Sequence, residues 1–276
     1  LIRDVEAVVH LAGQGPVSSR RGGNGLYDTI NKEWIEKLAE ACVTREIPIL
    51  FVSTGMLYAA RDGGLLPEDS TDIDPDQHPY TRSKYLAEQV LRALGRKGLC
   101  FSILRFGSVF GVAPVMNFHV AINAFMQQAA MKKHITVWRT MPRQLRPYTS
   151  VRDAADAINF ILENRLFEGD TYNVVSENAR GNEVLKEIQT SIPETTISLV
   201  DAERMNDLSF GMDDTKIRDL GFCPSVTIAS GIRELVGVFK ISFVFAIISL
   251  SLLLVLNQII LYNTQKSFKK SPICPK

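Results

Sequence analysis

Ile49-Leu50-Phe51-Val52-Ser53-Thr54-Gly55 decides the fold. Four apolar residues followed by two hydroxyls and a glycine read as a short buried strand that ends in polar groups. Upstream, Ala7-Val8-Val9-His10-Leu11-Ala12-Gly13 is a second apolar run stopping at a glycine. Between them, residues 31–45 place Trp34, Ile35, Leu38, Ala39 and Cys42 on one face, which predicts a core-facing amphipathic helix. Downstream, His78-Pro79-Tyr80-Thr81-Arg82-Ser83-Lys84 opens a helical stretch continuing through Tyr85, Leu86, Val90, Leu91 and Leu94. Phe101-Ser102-Ile103-Leu104-Arg105-Phe106 follows as a third strand. Strand, helix, strand, helix, strand implies right-handed crossovers and a parallel sheet. In such sheets ligands gather at the carboxyl ends of the strands, where Thr54 and Tyr80 could meet.

Tyr80 and Lys84 stand four apart, on one face of their helix and one turn from each other. A free tyrosine titrates near pH 10 and is a poor base at neutrality. A neighbouring ammonium favours the phenolate and brings the pKa toward the working range. Such a pair suits proton removal from a substrate alcohol coupled to hydride transfer.

Taken together, these blocks resemble the NAD-dependent epimerase/dehydratase family, the extended branch of the short-chain dehydrogenases/reductases, over roughly residues 4–236. Val8 through Gly13 is similar to the family's fourth-strand motif, and Asn31 stands where the family has an active-site asparagine. Phe51 through Tyr58 resembles the block carrying the catalytic Ser/Thr, which by its distance from Tyr58 is Thr54. Pro67-Glu68, Pro79 through Lys84, Ala87-Glu88, residues 104–111, residues 146–153, Tyr172-Asn173-Val174 and residues 216–224 follow in the family's order.

The resemblance implies an α/β fold: a partial Rossmann-like, doubly wound parallel sheet with a small C-terminal substrate lobe mainly within 112–236. The family's opening strands and Gly-rich phosphate turn have no counterpart here, so a chain beginning at Leu1 is expected to hold a dinucleotide poorly. The glycines of Gly22-Gly23-Asn24-Gly25 read instead as a loop on the substrate side. Tyr80 would be the acid/base, with Lys84 lowering its pKa and contacting the nicotinamide ribose. Thr54 would bond the reacting hydroxyl, and Asn31 would organise the local helix and a water. Leu11, Ala12 and Gly13, with Tyr80 and Lys84, would face the cofactor, NAD ahead of NADP. Thr54, Ser108 and Arg146 would hold the substrate. Arg146 matches a position that clamps a diphosphate, for which a guanidinium fork is suited. Asp153 is expected to cap the following helix, and Arg105 and Glu88 to be structural.

Two departures shape the substrate expectation. Ser108 replaces an asparagine common in the family. Gly55-Met56 follows Thr54, where sugar 4,6-dehydratases carry an Asp-Glu pair. Elimination of water needs an acid and a base beside the leaving group, so a dehydratase is disfavoured. The resemblance therefore implies an NAD(P)-dependent epimerase or reductase acting on a nucleotide sugar, in cell-surface glycan synthesis. The alternatives are a membrane-associated 3-beta-hydroxysteroid-type or lipid-alcohol dehydrogenase and a non-catalytic membrane scaffold with the same fold. A homodimer is compatible with it.

The 276 residues carry a net charge of +1, which gives no electrostatic reason to expect nucleic acid. The four cysteines lack metal-ligand spacing and the four histidines are scattered, so no metal site is predicted. Cys42 and Cys100 are expected as buried thiols. Residues 241–262 run for 22 residues without a charge, long enough to span a bilayer. A transmembrane helix is thus expected over 240–263, with a basic tail over 264–276, anchoring a catalytic domain (1–236) that faces the cytoplasm.

Overall fold

The computed structural model describes residues 5–15, 27–201 and 207–239. The predicted transmembrane run, the basic tail and the Gly22–Gly25 loop lie outside these. Among the described residues no helix is long and apolar enough to cross a membrane.

The strands are β1 (Val8–His10), β2 (Ile49–Thr54), β3 (Leu65–Leu66), β4 (Phe101–Phe106), β5 (Ser108–Phe110) and β6 (Ile135–Trp138). They continue as β7 (Leu145–Ser150), β8 (Glu168–Val174), β9 (Glu177–Arg180), β10 (Ile197–Val200) and β11 (Gly211–Met212). The helices are α1 (Trp34–Arg45), α2 (Pro79–Gly95), α3 (Ala121–Ala130), α4 (Val151–Glu163), α5 (Gly181–Ser191), α6 (Thr215–Asp219) and α7 (228–239).

The main sheet has the order β1-β2-β4-β8 and is parallel throughout. The inner strands β2 and β4 are rich in apolar residues because both faces of this sheet are covered, whereas β8 begins with the polar Glu168-Gly169-Asp170. On one face, α1 and α2 pack Ile35, Ala39, Cys42, Ala87 and Leu91 against Ile49, Phe51, Phe101 and Ile103. On the other, α4 and α6 pack Ala154, Ala157, Ile161 and Ile217 against Leu50, Leu104, Tyr172 and Val174. The expected α/β sheet is therefore present, with alternate residues of β2 feeding the two cores.

A second core joins α3, α5, α7, β5, β6 and β7 through Phe110, Ile122, Met126, Ile135, Val137, Tyr148, Val184, Ile188, Ile232 and Leu235. The lobe is interleaved rather than continuous in sequence, because α4, β8 and α6 return to the main sheet. The strands β5-β7-β9 form a small sheet between the two cores.

Two local expectations are corrected. The N-cap of α4 is Ser150, whose hydroxyl accepts the Asp153 N–H at 2.9 Å. The buried Asp153 carboxylate reaches outward instead, accepting from Ser225 N at 2.8 Å, from Val226 N at 3.3 Å and from the Ser176 hydroxyl. Cys100 is exposed, because it precedes β4 and does not lie within it, whereas Cys42 is buried.

Candidate active site

The site forms where β2 and β4 end and α2 begins. Pro79 occupies the first turn of α2, where its missing N–H costs nothing, and His78 Nδ1 accepts the Tyr80 N–H at 3.0 Å as the cap. Tyr80, Lys84 and Glu88 then recur at one-turn intervals along α2, facing β2.

Thr54, the last residue of β2, accepts the Met56 N–H on its hydroxyl oxygen at 3.1 Å, and its hydroxyl faces the Tyr80 phenol closely enough to favour the phenolate. Burial pushes that phenol up to about 12, and the Thr54 hydroxyl holds it back in part. Lys84 Nζ donates to Val52 O at 2.8 Å and stands 4.7 Å from the centre of the Phe51 ring. Burial brings the ammonium down to about 8, opposed by the Glu88 carboxylate. The structure thus differs from the expectation that Lys84 draws Tyr80 down: the resting phenol is dominated by desolvation, while the ammonium is anchored to the strand. His10, beneath Lys84, is pushed down to about 4 by burial and then by the Lys84 charge. It is therefore neutral at physiological pH and does not compete with the ammonium.

Asn31 lies within a π-helical turn, Asp28–Glu33, that leads into α1. Such turns recur at functional sites because they re-aim one side chain. The carboxamide binds the Gln14 backbone twice, accepting its N–H at 2.7 Å and donating to its carbonyl at 3.1 Å. It also donates to Ser83 Oγ at 2.9 Å, and Ser83 donates to Tyr80 O at 2.7 Å. Asn31 therefore ties the loop after β1 to the first turn of α2. Ser83, Gln14 and His10 were missed as site residues; only Ser83, inside the Tyr80–Lys84 run, carried a local signal.

Beyond β1, Leu11, Ala12 and Gly13 form an exposed strip of backbone. A Cβ on Gly13 would stand 3.0 Å from Asn31 Oδ1 and 3.4 Å from Lys84 Nζ. The glycine keeps this strip open above a buried cation, an arrangement that fits the polar end of a dinucleotide.

Thr54 and Tyr80 line one end of a cleft of about 650 Å³, and Ser108 and Arg146 line its walls. Ser108 is exposed at the start of β5, and Arg146 is half-buried in β7 with its guanidinium carbon 5.6 Å from the centre of the Phe210 ring. Burial lowers the Arg146 pKa below the usual arginine range, with Tyr148 and Asp207 opposing the shift. Gly107 permits this proximity, since a Cβ there would lie 2.6 Å from Pro147 O. Among the described residues the cleft is lined by no carboxylate. Positions 55 and 56 are glycine and methionine and supply none; a Cβ at 55 would lie 2.3 Å from Met212 Sδ, so a side chain there would require Met212 to shift.

The family model described as NAD dependent epimerase/dehydratase family matches residues 1–174. The chain is 28% identical over 239 residues to the trifunctional UDP-glucose 4,6-dehydratase/UDP-4-keto-6-deoxy-D-glucose 3,5-epimerase/UDP-4-keto-L-rhamnose-reductase of Arabidopsis thaliana. That match covers 83% of this chain and 35% of the relative, so the chain spans about a third of that protein's length. It is 25% identical to the low-salt glycan biosynthesis protein Agl12 of Haloferax volcanii, covering 87% of this chain and 77% of the relative. Among solved structures, the UDP-glucuronic acid 4-epimerase of Bacillus cereus, with UDP-glucuronic acid and NAD, aligns at TM-score 0.75 and 22% identity, covering 86% of this chain and 76% of that one. The dTDP-glucose 4,6-dehydratase DesIV of Streptomyces venezuelae, with NAD bound, aligns at TM-score 0.75 and 24% identity, covering 86% and 74%. These two likenesses establish the fold.

Proposed function

Since this chain belongs to the NAD dependent epimerase/dehydratase family, we propose that it epimerises or reduces a nucleotide sugar in the cleft between Tyr80 and Arg146. One observation carries this reading: the Thr54–Tyr80 pair and the Ser108–Arg146 pair open into the same 650 Å³ cleft, and no described carboxylate lines it. The Arabidopsis thaliana relative and the two solved structures carry the names of nucleotide-sugar enzymes, which supports the substrate class.

The strip Leu11–Gly13 and the side chains of Tyr80 and Lys84 would hold NAD, which when bound supplies the hydride acceptor and donor. Tyr80 Oη exchanges the proton of the reacting hydroxyl. A phenol near 12 carries its proton at neutral pH, so the resting site is set to protonate a carbonyl oxygen, as the reductive half of either reaction requires. Thr54 would hold that same oxygen beside Tyr80. The Lys84 ammonium places a positive charge near the proton-transfer pair, and Asn31 keeps the loop after β1 in register with it. Arg146 would receive the anionic part of the nucleotide, with Ser108 beside it. Elimination of water would need a carboxylic acid next to Thr54, and Gly55-Met56 provides none. A lipid alcohol would leave Arg146 without an anionic partner.

The test is turnover by the full-length protein of UDP-4-keto-6-deoxy-D-glucose with NADH and of UDP-glucuronic acid with NAD. Tyr80→Phe is expected to abolish turnover and to leave NAD affinity nearly intact; turnover unchanged in that variant would defeat the assignment. We also infer that the uncharged run 241–262 tethers the protein to a membrane. Recovery of the intact protein wholly in the soluble fraction would count against this.

A further inference from the structure

Three consecutive residues of β2 are gripped by three residues of α2 spaced one turn apart. Val52 O accepts from Lys84 Nζ at 2.8 Å, Ser53 Oγ donates to Glu88 Oε1 at 2.6 Å, and the Thr54 hydroxyl faces the Tyr80 phenol in the cleft. The middle grip is buried, with Glu88 inaccessible and Ser53 nearly so. Burying a carboxylate is costly unless it is fully partnered. Here Arg105 completes it, with Nε at 3.0 Å from Oε1 and Nη2 at 2.7 Å from Oε2. Arg105 is itself fixed by donating to the Tyr58 hydroxyl at 3.0 Å and to Glu68 O at 3.1 Å. Glu88 therefore cannot swing away from Ser53, and Ser53 precedes Thr54 directly.

We propose that Glu88 is a positioning residue: by holding Ser53 and standing one turn below Lys84, it sets the register at which Thr54 meets Tyr80. The inference rests on the acid/base reading of Tyr80 above. A pair that only stabilised the fold would need the Arg105–Glu88 contact but not the Ser53 bond, which joins the pair to the residue preceding Thr54.

The charges around the clamp are few. Lys84 is faced by neutral His10 from β1, by the uncharged Asn31 from the turn before α1, and by Glu88 from its own helix. Glu88 is faced by Arg105 from β4 and by Arg92, whose Nη2 lies 3.8 Å away on α2. Replacing Glu88 by glutamine keeps an acceptor for Ser53 and removes the charge that supports the Lys84 ammonium.

The experiment compares Ser53→Ala, Ser53→Thr, Glu88→Gln and Tyr80→Phe in the full-length protein, reading kcat, KM and the pH dependence of kcat on the nucleotide sugars named above. Ser53→Ala is expected to fold like the parent and to lower kcat about ten- to a hundredfold, the scale on which small misplacements act. KM should stay within about twofold, since ground-state binding is untouched. Ser53→Thr restores kcat. Glu88→Gln moves the alkaline limb of the kcat profile to lower pH, as Lys84 gives up its proton more readily. Parental kcat in Ser53→Ala would overturn the proposal, and should Glu88→Gln not fold, that variant decides alone. Turnover in Tyr80→Phe, or none by the parent, would instead overturn the underlying assignment.

Discussion

The Arg105 guanidinium takes both oxygens of the Glu88 carboxylate, at 3.0 and 2.7 Å, in a place that solvent hardly reaches. Burial alone would depress the Arg105 pKa, but the Glu88 bonds outweigh it and hold the group above the usual arginine range. Removing one member leaves the other charge buried without its partner. Arg105→Ala should therefore cost about 3–5 kcal/mol of stability, measured by urea unfolding.

Thr54→Val should make the Tyr80 phenol harder to ionise, because the Thr54 hydroxyl is what opposes desolvation. The expected result is a Tyr80 titration displaced upward from that of the parent, read by ultraviolet difference against Tyr80→Phe, together with a pH–kcat limb displaced to the alkaline side.

Lys84→Met should yield an inactive protein that is more stable than its parent at neutral pH. The folded-state pKa of Lys84 lies near 8, below the ordinary 10.5. Between those values the unfolded chain binds more protons, so the stability of the parent rises with pH across that window and falls toward its lower end. At pH 7 the charged ammonium is held at a cost of up to about 3 kcal/mol, one pKa unit being about 1.4 kcal/mol. Methionine removes that cost and fills a similar volume. Denaturant curves at pH 7 and pH 10 should show the advantage shrinking at the higher pH.

Asp153 supplies an acid-dependent contribution. Burial alone would raise its pKa, but donation from Ser176, Ser225 N, Ser150 and Val226 N prevails, and the group titrates below 3.8. A depressed folded-state pKa gives stability that is present above the unfolded value and is lost as pH falls through the folded one. Asp153→Asn should be less stable than the parent at pH 7 by about 1–3 kcal/mol. The two proteins should converge as pH falls through the depressed folded-state value, in urea titrations across pH.

Much of the sheet was legible because its signals are local. Ile49–Val52 is a continuous apolar run, Phe101–Phe106 is a mainly apolar one, and Tyr80–Lys84 opens an amphipathic helix behind a proline. The same holds for the gathering of Thr54 and Tyr80 at the strand ends, which topology dictates. What stayed hidden depends on partners distant in sequence. Nothing near Asn31 announces a π-helical turn, since its carboxamide is fixed by Gln14 and Ser83. Glu88 and Arg105 read as structural residues in sequence, but that they bond each other, and that Ser53 joins them, depends on strands distant in the chain. Asp153 obeyed a capping rule in sequence, yet the cap is Ser150 and the carboxylate serves the segment at 225–226. The reversal at Tyr80 has the same origin: spacing fixes which groups share a helix face but not how deeply they are sunk.

The triple grip of α2 on β2 also bears on how activity can be lost. Its three contacts lie on one rigid strand and one rigid helix, so a slide of either element by a residue unhooks all of them together. The helix can separate from the strand only by opening the Ile49–Phe51–Leu91 core. Competence and native packing should consequently vanish in a single cooperative transition. Residual turnover in rising denaturant will then follow the fraction of intact molecules, without an inert species that keeps its tertiary structure.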